Sequence, residues 1–287
     1  MKILTFDVED WFHILDHPAL AHEKAWSAMP SRVEEGIDRI LSMLSEAEQR
    51  ATFFCLGWVG EKYPAVIKRI DEAGHEIGTH SHRHSLVYDQ TPEAFEADLC
   101  QSLEVLQGIT GKKITCYRAP GFSITSKALW AFEKLVENGI DYDCSLFPAA
   151  RAHGGISHLK IDMPMTLKVS GAQLKCFPLN TTRLGLNAVV YSGGGYFRLL
   201  PKAYLSYLFA KHPYVMTYFH PRDFDPEQPI IPGLSPLRRF KSYVGLSGAE
   251  TKLRAILQQY DFMTVLDAAS AIDWASVPEV GISELRL

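Results

Sequence analysis

Closely spaced histidines near residue 80 have the chemistry and the spacing of a metal site. Four histidines fall within residues 75–84, at the end of a short apolar stretch. Residues four apart lie on one face of a helical turn, so the imidazoles of His80 and His84 could bind a single divalent ion together. Two histidines and one carboxylate leave coordination positions open for water and substrate, which is typical of catalytic rather than structural sites.

The carboxylate for such a site is expected at the end of the first predicted strand. An apolar run at residues 3–6 is followed by Asp7, Glu9 and Asp10. Each of these side chains has an oxygen that a divalent ion accepts as a ligand. The residue types alone leave the choice among the three open.

Length and charge limit the range of functions. With 287 residues and 47% hydrophobic content the chain can form one large core, and α/β barrels of this size are commonly single domains. A net charge of −4 without a basic run gives no indication of binding to nucleic acid or to an anionic membrane surface. We therefore expect one domain, spanning residues 1–287, whose substrate is not a polyanion.

The sequence also predicts a cellular location. No stretch approaches the roughly 18 apolar residues of a membrane span, and Met1 and Lys2 run directly into the first strand without an apolar signal region. Five scattered cysteines, none in a Cys-x-x-Cys pair, favour reduced thiols over disulfides. We expect a cytoplasmic protein.

Strand and helix patterns alternate along most of the chain. Strands are predicted at residues 3–6, 51–56, 75–78, 114–117, 141–146, 215–219 and 262–265, and helices at 33–44, 64–73, 91–107, 129–136, 202–211 and 253–260. Ser31 and Glu34 have the spacing of a capping box before the first helix. Repeated βα units predict an α/β fold with a parallel sheet, closed as a distorted (β/α) barrel of about seven strands that is similar to a TIM barrel.

Two segments depart from the alternation. Residues 147–200 are rich in Gly, Pro and short β-like pieces, and they are too long for a plain connection. We interpret them as a functional insertion into the barrel, and residues 222–287 as a carboxy-terminal extension.

Reactive residues follow five of the predicted strands, at the end of the barrel where catalytic groups gather. The five groups are 7–10, 80–84, 118–121, 143–145 and 219–221. Their order resembles the motifs of the polysaccharide deacetylase family, carbohydrate esterase family four, whose shared domain is named after the nodulation protein NodB. Segments 193–198, 219–226 and 243–246 further resemble a bacterial subgroup found with exopolysaccharide and surface-glycan loci.

The resemblance implies roles for the first two motifs. Asp7 would be the general base and His80 and His84 the metal ligands, with zinc as the expected ion and Co²⁺, Ni²⁺, Mn²⁺ or Fe²⁺ as alternatives. In the common form of the first motif a metal-binding Asp follows the base directly, whereas two residues intervene here before Asp10. We expect Asp10 to be the third ligand and keep Glu9 as its rival.

The remaining motifs would complete the proton transfers. Arg118 would form a salt bridge to Asp7, which favours the ionised carboxylate. His220 would be the general acid, oriented by the carboxylate of Asp143, although the motif around Asp143 lacks the Trp of the family pattern.

Amide hydrolysis needs an activated water, a polarised carbonyl and a proton for the leaving amine, and this set of residues offers all three. We expect Pro120 and Phe122 to line the acyl pocket, with a backbone N–H near Phe122 sharing the charge of the oxyanion. Trp11 is either a core residue or an aromatic platform for a sugar. The glycines at 193–195 form either a simple turn or a loop that brings Tyr196 and Arg198 to the substrate.

The sequence therefore predicts a metal-dependent hydrolase that removes an N-acetyl group from an amino sugar of a glycan or a glycan precursor, in surface polysaccharide biosynthesis or modification. One alternative on the same fold is a hydrolase of a small cyclic amide or ureide. Another is an inactive glycan-binding module, which the intact Asp7, His80, His84, Arg118 and His220 argue against. The sugar, its linkage and the oligomeric state stay open.

Overall fold

The computed structural model describes residues 1–15, 17–20, 23–149, 153–185 and 187–286. Its strands are β1 Lys2–Ile3, β2 Thr5–Val8, β3 Thr52–Cys55, β4 Glu76–Thr79, β5 Cys116–Tyr117, β6 Tyr142–Asp143, β7 Met165–Val169, β8 Ala172–Cys176, β9 Thr182–Leu184, β10 Asn187–Val189, β11 Val215–Met216 and β12 Glu279–Gly281. Its α-helices are α1 Glu23–Trp26, α2 Val33–Glu46, α3 Gly57–Lys62, α4 Pro64–Glu72, α5 Pro92–Thr110, α6 Trp130–Glu137, α7 Gly194–Leu199, α8 Lys202–Lys211, α9 Pro236–Tyr243, α10 Leu246–Leu257 and α11 Val265–Ala271.

Parallel strands form the centre of the molecule. β2, β3, β4, β5, β6 and β8 lie side by side in that order, each parallel to the next. On the other side of the first strand, β1 pairs in parallel with β11, and a bridge between Phe6 and Phe219 extends this pairing. Counting β1 and β2 as one interrupted strand, seven parallel strands follow one another around the sheet. The expected distorted barrel of about seven strands is confirmed.

The helices pack on the barrel through the apolar faces that the sequence pattern predicted. In α2 the side chains of Val33, Ile37, Ile40 and Leu44 are buried, at the i, i+4, i+7 and i+11 positions of one helical face. Helix α5 begins at a cap in which the hydroxyl of Thr91 accepts a hydrogen bond from the amide of Ala94, and it ends at Gly111 in the left-handed conformation.

The segment 147–200 contributes strands of two kinds. β8 pairs in parallel with β6 and is the sixth of the seven barrel strands in chain order, while β7 pairs antiparallel with β8 and in parallel with β12. β9 and β10 form a separate antiparallel ribbon. The sheet is thus built from both halves of the chain.

Three predictions about elements are wrong in detail. Ser31 is not the N-cap of α2, because Arg32 occupies that position; the Ser31 hydroxyl donates to the carboxylate of Asp10 and accepts the amide of Val33. Residues 262–265 do not form a strand, because only Met263 bridges to the sheet, and α11 begins at Val265. Helix α10 begins at Leu246, seven residues before the predicted start.

Two further expectations concern membrane-spanning segments and the state of the cysteines. Among the described residues no helix has both the length and the apolar character needed to cross a bilayer. All five cysteines are free thiols, four of them buried and Cys100 exposed.

Candidate active site

A cleft of about 450 Å³ opens at the carboxyl ends of the barrel strands. It is lined by side chains from four of the five predicted strand ends, including Asp7, Glu9, His80, His84, Phe122 and His220. Parallel strands that point the same way bring their ends to one rim, so residues far apart in sequence meet there.

Glu9, His80 and His84 form a cluster with the geometry of a metal site. One potential ligand atom from each of the three side chains lies within 4.8 Å of the other two, and all three side chains are buried. Glu9 Oε2 lies 2.8 Å from His84 Nε2, yet this oxygen has no partner in hydrogen-bond geometry among the described residues. A buried carboxylate oxygen with an unused lone pair next to two imidazoles fits a divalent cation.

The imidazole of His80 is held in the state that a metal ligand requires. Its Nδ1 lies 2.7 Å from the carbonyl oxygen of Arg118, so Nδ1–H donates there and Nε2 keeps its lone pair. Burial lowers the pKa of His80 to about 4, partly offset by the nearby charges of Asp7 and Glu9. The ring is therefore neutral near pH 7.

The preference for Asp10 as third ligand is not supported by the geometry. Its carboxylate accepts hydrogen bonds from the backbone amides of Trp11 and Arg32 and from the hydroxyl of Ser31. These bonds hold the turn after β2 against the start of α2. Glu9, which was the rival, is the acidic residue beside His80 and His84.

The histidine segment is not helical, so the premise of the i, i+4 argument was wrong. Residues 80–86 form a loop, in which Ser81 and His84 both have positive φ angles, 67° and 54°. The carboxylate of Asp98 on α5 accepts hydrogen bonds from the amides of His82 and Arg83, at 2.7 and 3.1 Å. Non-glycine residues with positive φ angles are held in place by their surroundings, and the two hydrogen bonds to Asp98 support this loop.

Helix α3 supports the same loop from another side. The amides of Gly57 and Trp58, at the start of the helix, donate to the carbonyl oxygens of Ser81 and His82 at 2.9 and 3.2 Å. The hydroxyl of Ser81 lies 3.0 Å from that of Tyr117 on β5. The loop is therefore fixed by α3, α5 and β5 together.

Asp7 and Arg118 form the expected salt bridge inside the barrel. Arg118 Nη1 lies 2.7 Å from Asp7 Oδ1 and 2.7 Å from the hydroxyl oxygen of Thr5, and neither charged side chain is more than 2% exposed. The guanidinium also packs over the ring of Phe54, 4.3 Å from its centroid. Asp7 Oδ1 is thereby occupied and Oδ2 faces the side of His220.

His220 lies next to both acids in the cleft. Its Nε2 is 3.3 Å from Glu9 Oε1 and 3.8 Å from Asp7 Oδ2. Its Nδ1 is 3.1 Å from Asp223 Oδ2, and its backbone amide donates to the same oxygen. Burial alone would lower the pKa of His220, but the charges of Glu9, Asp223 and Asp7 raise it above the ordinary value.

Asp223, not Asp143, is the carboxylate that orients His220. Asp143 is buried on β6, where its Oδ2 accepts the amide of Ser145 and its Oδ1 has no partner among the described residues. Burial raises the pKa of Asp143 to about 6, against the lowering effects of Ser145 and Arg118. No contact between Asp143 and His220 is present.

Arg198 lines the cleft, where it was expected to meet the substrate, and it also supports Asp223. Its Nε lies 3.1 Å from Asp223 Oδ1, and its other nitrogens donate to the carbonyl oxygens of Lys241, Ser242 and Val244 at the end of α9. A buried guanidinium fixed by a carboxylate and three carbonyl oxygens is suited to position its neighbours. The chain of contacts runs from α9 through Arg198 and Asp223 to His220.

The aromatic predictions have mixed outcomes. Phe122 lines the cleft, but its amide donates to the carbonyl oxygen of Ala119 and so does not serve an oxyanion as expected. Pro120 is buried beneath this turn, outside the cleft lining. Trp11 belongs to the core, with its indole N–H bonded to the carbonyl of Pro30. Tyr196 is 40% exposed and lines a groove beside the cleft.

Sequence reasoning missed Asp223, Asp98 and Tyr218. Asp223 follows His220 by three residues, a spacing that lets a carboxylate reach back to the imidazole and amide of the earlier residue. Asp98 occurs on the inward face of α5, three residues after the buried Phe95, where an acidic side chain signals a specific partner. Tyr218 lines the cleft beside His220.

Comparison with known protein families divides the chain in two. Residues 12–137 match the family model described as polysaccharide deacetylase. Residues 144–270 match a model described as a domain of unknown function, DUF3473. The boundary between them falls just after α6, before the barrel is complete.

Known proteins support the first of these matches. A peptidoglycan deacetylase of Helicobacter pylori is 32% identical over 139 residues, which is 47% of this chain and 46% of that protein. The chain spans less than half the length of the curated relatives it matches.

Two solved structures have a similar fold. A Mycobacterium smegmatis protein described as a polysaccharide deacetylase has a TM-score of 0.60 at 21% identity, covering 99% of this chain and 88% of its own. The allantoinase Puue has a TM-score of 0.57 at 14% identity, with the same coverage of 99% and 88%. Residues 12–137 of this chain are thus similar to the polysaccharide deacetylase family, and the chain as a whole shares its fold with these two solved structures.

Proposed function

We propose that the protein is a metal-dependent hydrolase that removes the N-acetyl group from an amino sugar of a glycan or a glycan precursor. One observation carries the proposal: the cluster of Glu9, His80 and His84 shares a single cleft with Asp7 and His220. A metal site, a braced carboxylate and an imidazole with a raised pKa are the groups that hydrolysis of an unactivated amide requires.

Glu9, His80 and His84 would hold the ion, with zinc as the first candidate because two imidazoles and a carboxylate suit it. A bound divalent ion would supply Lewis acidity, which activates water and polarises the acyl carbonyl. The chain itself prepares the ligands: burial keeps His80 neutral, and the neighbouring His84 and His220 overcome the effect of burial and hold the pKa of Glu9 far below its ordinary value.

Asp7 is proposed as the general base. Its Oδ1 is held by Arg118 and its Oδ2 is directed toward the side of the cleft where His220 lies. A carboxylate aimed in this way can take the proton from the attacking water at Oδ2 without turning. Arg118 supplies the orientation because it is itself fixed by Thr5 and by the carbonyl of Cys144.

His220 is proposed as the general acid. Its Nδ1 is bound to Asp223, so Nε2 is the atom that carries the proton into the cleft. The anions around the ring raise its pKa, which favours the imidazolium that donates to the leaving nitrogen. Amide nitrogen is a poor leaving group unless it is protonated, so this step is needed for turnover.

A hydrolase of a cyclic amide or ureide remains the alternative, because an allantoinase has a similar fold and the likeness in fold does not separate the two reactions. A panel of free and linked N-acetyl amino sugars, together with a cyclic ureide, distinguishes them by acetate release against ring opening. We expect acetate from at least one amino sugar. Ring opening of the ureide without acetate from any sugar would contradict the proposal.

The metal ligands are tested by paired substitutions. Glu9→Gln and His80→Ala should each lower the bound metal, because a three-residue site loses affinity strongly when one ligand is removed. Asp10→Asn should keep the metal, since its carboxylate serves the turn after β2. Metal content is measured by elemental analysis after dialysis. Loss of metal in Asp10→Asn but not in Glu9→Gln would refute our ligand assignment.

The glycan context and the cytoplasmic location are also proposals. They would place the reaction in surface polysaccharide biosynthesis, on a precursor rather than on the finished extracellular polymer. Fractionation of cells that express the native gene tests the location. Recovery of the protein in the periplasm or the medium would overturn it.

A further inference from the structure

A groove of about 420 Å³ lies beside the catalytic cleft and has a different character. We name it the lateral groove, and its walls include Phe147, Val190, Tyr196, Leu199, Leu237 and Phe240. Among the residues that the structure describes, none in the lining of the groove is acidic. The groove is therefore suited to an apolar ligand.

The lateral groove and the catalytic cleft are neighbours with a common wall. Gly195, Tyr218, Leu237 and Lys241 line both of them. Tyr218 also lies next to His220, with the two ring centroids 6.3 Å apart. A ligand that occupies the groove can thus continue into the cleft without leaving the protein.

Apolar side chains around the groove are unusually exposed. Leu237, Phe240, Leu199 and Tyr196 are 64%, 55%, 51% and 40% exposed, and they are four of the nine large hydrophobic side chains exposed on the described part of the chain. Single exposed apolar residues are ordinary, but a group of them around one concavity indicates a site that binds something apolar.

Positive charge lies at the junction of groove and cleft. Helix α9 carries Arg238, Arg239 and Lys241 and has no acidic residue, although the chain has a net charge of −4. Arg238 and Lys241 line the catalytic cleft, and the guanidinium of Arg238 reaches across to the carbonyl oxygen of Leu15. An anionic group between cleft and groove would be complementary to these charges.

We propose that the protein acts on an amino sugar carried by a lipid phosphate, and that the lateral groove holds the lipid chain. The proposal rests on the function proposed above. The N-acyl sugar would occupy the cleft, the phosphate would lie beside Lys241 and Arg238, and the chain would extend between Leu199 and Phe240. The order of polar, cationic and apolar surfaces matches the order of groups in such a molecule.

The charges favour this occupant over a second copy of the protein. A symmetric dimer through this surface would bring the cations of α9 from both copies into one interface, and neither α9 nor the described groove lining has an acidic residue to balance them. A lipid phosphate satisfies both the apolar walls and the positive junction.

Binding is tested without reference to activity. Equilibrium dialysis measures the affinity of the full chain for farnesyl phosphate, for farnesol and for inorganic phosphate. We expect farnesyl phosphate to bind at least about tenfold more tightly than either part, because both surfaces contribute. Equal affinity for farnesol and farnesyl phosphate, or no binding of farnesyl phosphate, would overturn the proposal.

Substitutions connect the binding to the groove. Leu199→Ser and Phe240→Ser, alone and combined, remove apolar surface from the groove at exposed positions outside the cleft lining. Leu266→Ser is the matched control, because Leu266 is 48% exposed and lies in another pocket that contains no catalytic residue. Farnesyl phosphate should bind the double variant about tenfold more weakly and the control as it binds wild type. Unchanged binding in the double variant would refute the assignment.

Turnover then separates this proposal from the proposed function. The best sugar from the acetate-release panel is supplied as its phosphate with and without a farnesyl chain. In wild type we expect kcat/KM to be higher for the farnesylated sugar phosphate than for the sugar phosphate without the chain. In the double variant most of this difference should disappear. If wild type releases acetate equally from both forms, the enzyme is a deacetylase but the lipid proposal fails. If it releases none from any sugar while farnesyl phosphate binds in the groove, the proposed function fails instead.

Two other occupants would appear as distinct results that overturn the proposal. A dimer in sedimentation experiments that dissociates in the double variant would identify the groove as a contact between copies. Binding to anionic vesicles that is lost in the double variant, without binding of monomeric farnesyl phosphate, would identify it as a membrane contact.

Discussion

Asp223 has two basic partners in the candidate active site, one on each carboxylate oxygen. Its Oδ2 contacts the imidazole of His220, and its Oδ1 contacts the guanidinium of Arg198. The charges of His220 and Arg198 overcome the effect of burial and hold the pKa of Asp223 below its ordinary value. An ionised Asp223 in turn raises the pKa of His220, so one carboxylate both aims the imidazole and keeps it protonated.

The first residue-scale prediction concerns Asp223→Asn. The folded-state pKa of His220 is raised by its anionic neighbours, so the imidazolium persists to higher pH, and removal of one anion must lower that pKa. The alkaline limb of kcat/KM should therefore move to lower pH, and the rate on amides should fall by about tenfold or more. Activated esters, whose leaving groups need no proton, should be affected less.

Asp225→Asn is the matched control for this experiment. Asp225 lies two residues away and pairs with Arg32 rather than with His220. Its substitution should leave the alkaline limb in place. If Asp223→Asn also leaves the limb unchanged, His220 is not the acid that the limb reports.

The second residue-scale prediction concerns Asp143→Asn. Burial raises the folded-state pKa of Asp143 from 3.8 to about 6, so between these pH values the folded protein holds a proton that the unfolded chain has lost. Stability due to this group is present at low pH and decreases as pH rises through the window. The asparagine variant cannot lose a proton at this position. Its free energy of unfolding, relative to that of wild type, should therefore rise by about 2–3 kcal/mol between pH 4 and pH 6.

Urea unfolding at several pH values measures this difference. The carbonyl oxygen of asparagine can still accept the amide of Ser145, so the local hydrogen bond is kept. The alkaline limb of activity should not change, because Asp143 does not contact His220. A shift of that limb would restore the role that the sequence suggested for Asp143.

At the residue scale, the sequence predicts which residues lie in the site better than it predicts which residues they contact. Asp7, Arg118, His80, His84 and His220 all lie in the site, because reactive residues at strand ends have few other reasons to be there. The geometry favours Glu9 over Asp10, which has the residue type of the motif but not its spacing. Alternation along the strand would have favoured Glu9, since residues two apart point to the same side and Asp7 is already directed into the site.

At the scale of elements, the histidine loop depends on helices that carry no ligand. Helix α3 begins at Gly57, whose amide donates to the loop, and its glycine has no room for a side chain. A Cβ atom at this position would lie 2.4 Å from His82 Nδ1 and 2.8 Å from the Cα atom of Ser102. Close approach of α3 to the loop is therefore part of how His80 and His84 are positioned.

The element-scale prediction is that Gly57→Ala displaces the histidine loop. The collision with His82 and Ser102 should destabilise the fold by about 1–3 kcal/mol. Metal affinity should fall as well, because the ligands move with the loop. Thermal unfolding and metal titration measure the two effects.

Gly108→Ala provides the control within α5. A Cβ atom there meets nothing within 4 Å, and alanine favours a helix interior by about 0.5–1 kcal/mol over glycine. This variant should be slightly more stable than wild type and should keep its metal. Full metal affinity in Gly57→Ala would show that the loop does not depend on α3.

Helices with a strong apolar periodicity were predicted well. Elements that depend on pairing with a neighbouring strand, or whose apolar pattern is interrupted, were not. Helix α8 matches its predicted bounds, and α2 and α4 agree within two residues at each end. The expected strand at 262–265 failed because an apolar β-rich run needs a neighbour with free hydrogen-bonding groups, and only Met263 has one. The start of α10 was missed because Gly248 interrupts its apolar pattern, although Leu246 and Ala249 are buried.

At the scale of the whole molecule, the barrel joins its first strand to a strand more than 200 residues later in the chain. The amide of Thr217 donates to the carbonyl of Ile3, that of Phe219 to Thr5, and that of Asp7 to Phe219. Asp7 and His220 meet because these strands are neighbours. Such pairing cannot be read from local sequence patterns, because it depends on which strand closes the barrel.

The whole-molecule prediction is that the chain unfolds as one cooperative unit. Amide hydrogens of Thr217 and Phe219 should exchange with solvent only through global unfolding, at the same free energy as those of β3. The ribbon of β9 and β10 pairs only with itself and should exchange more readily. Hydrogen exchange with residue resolution measures both. Earlier exchange at Thr217 and Phe219 would indicate two separately folding parts.

The position of the closing strand has a consequence for synthesis on the ribosome. The first strand leaves the ribosome before its partner at residues 215–219. The bonded residues Thr5 and Thr217 are 212 residues apart, so the partner strand emerges more than 200 residues later. Until then the nascent chain presents an unpaired edge on its first strand, which is a surface that other chains can join. A ribosome that stalls before this point would release a chain with two histidines and three acids in place, an open sheet edge, and no His220.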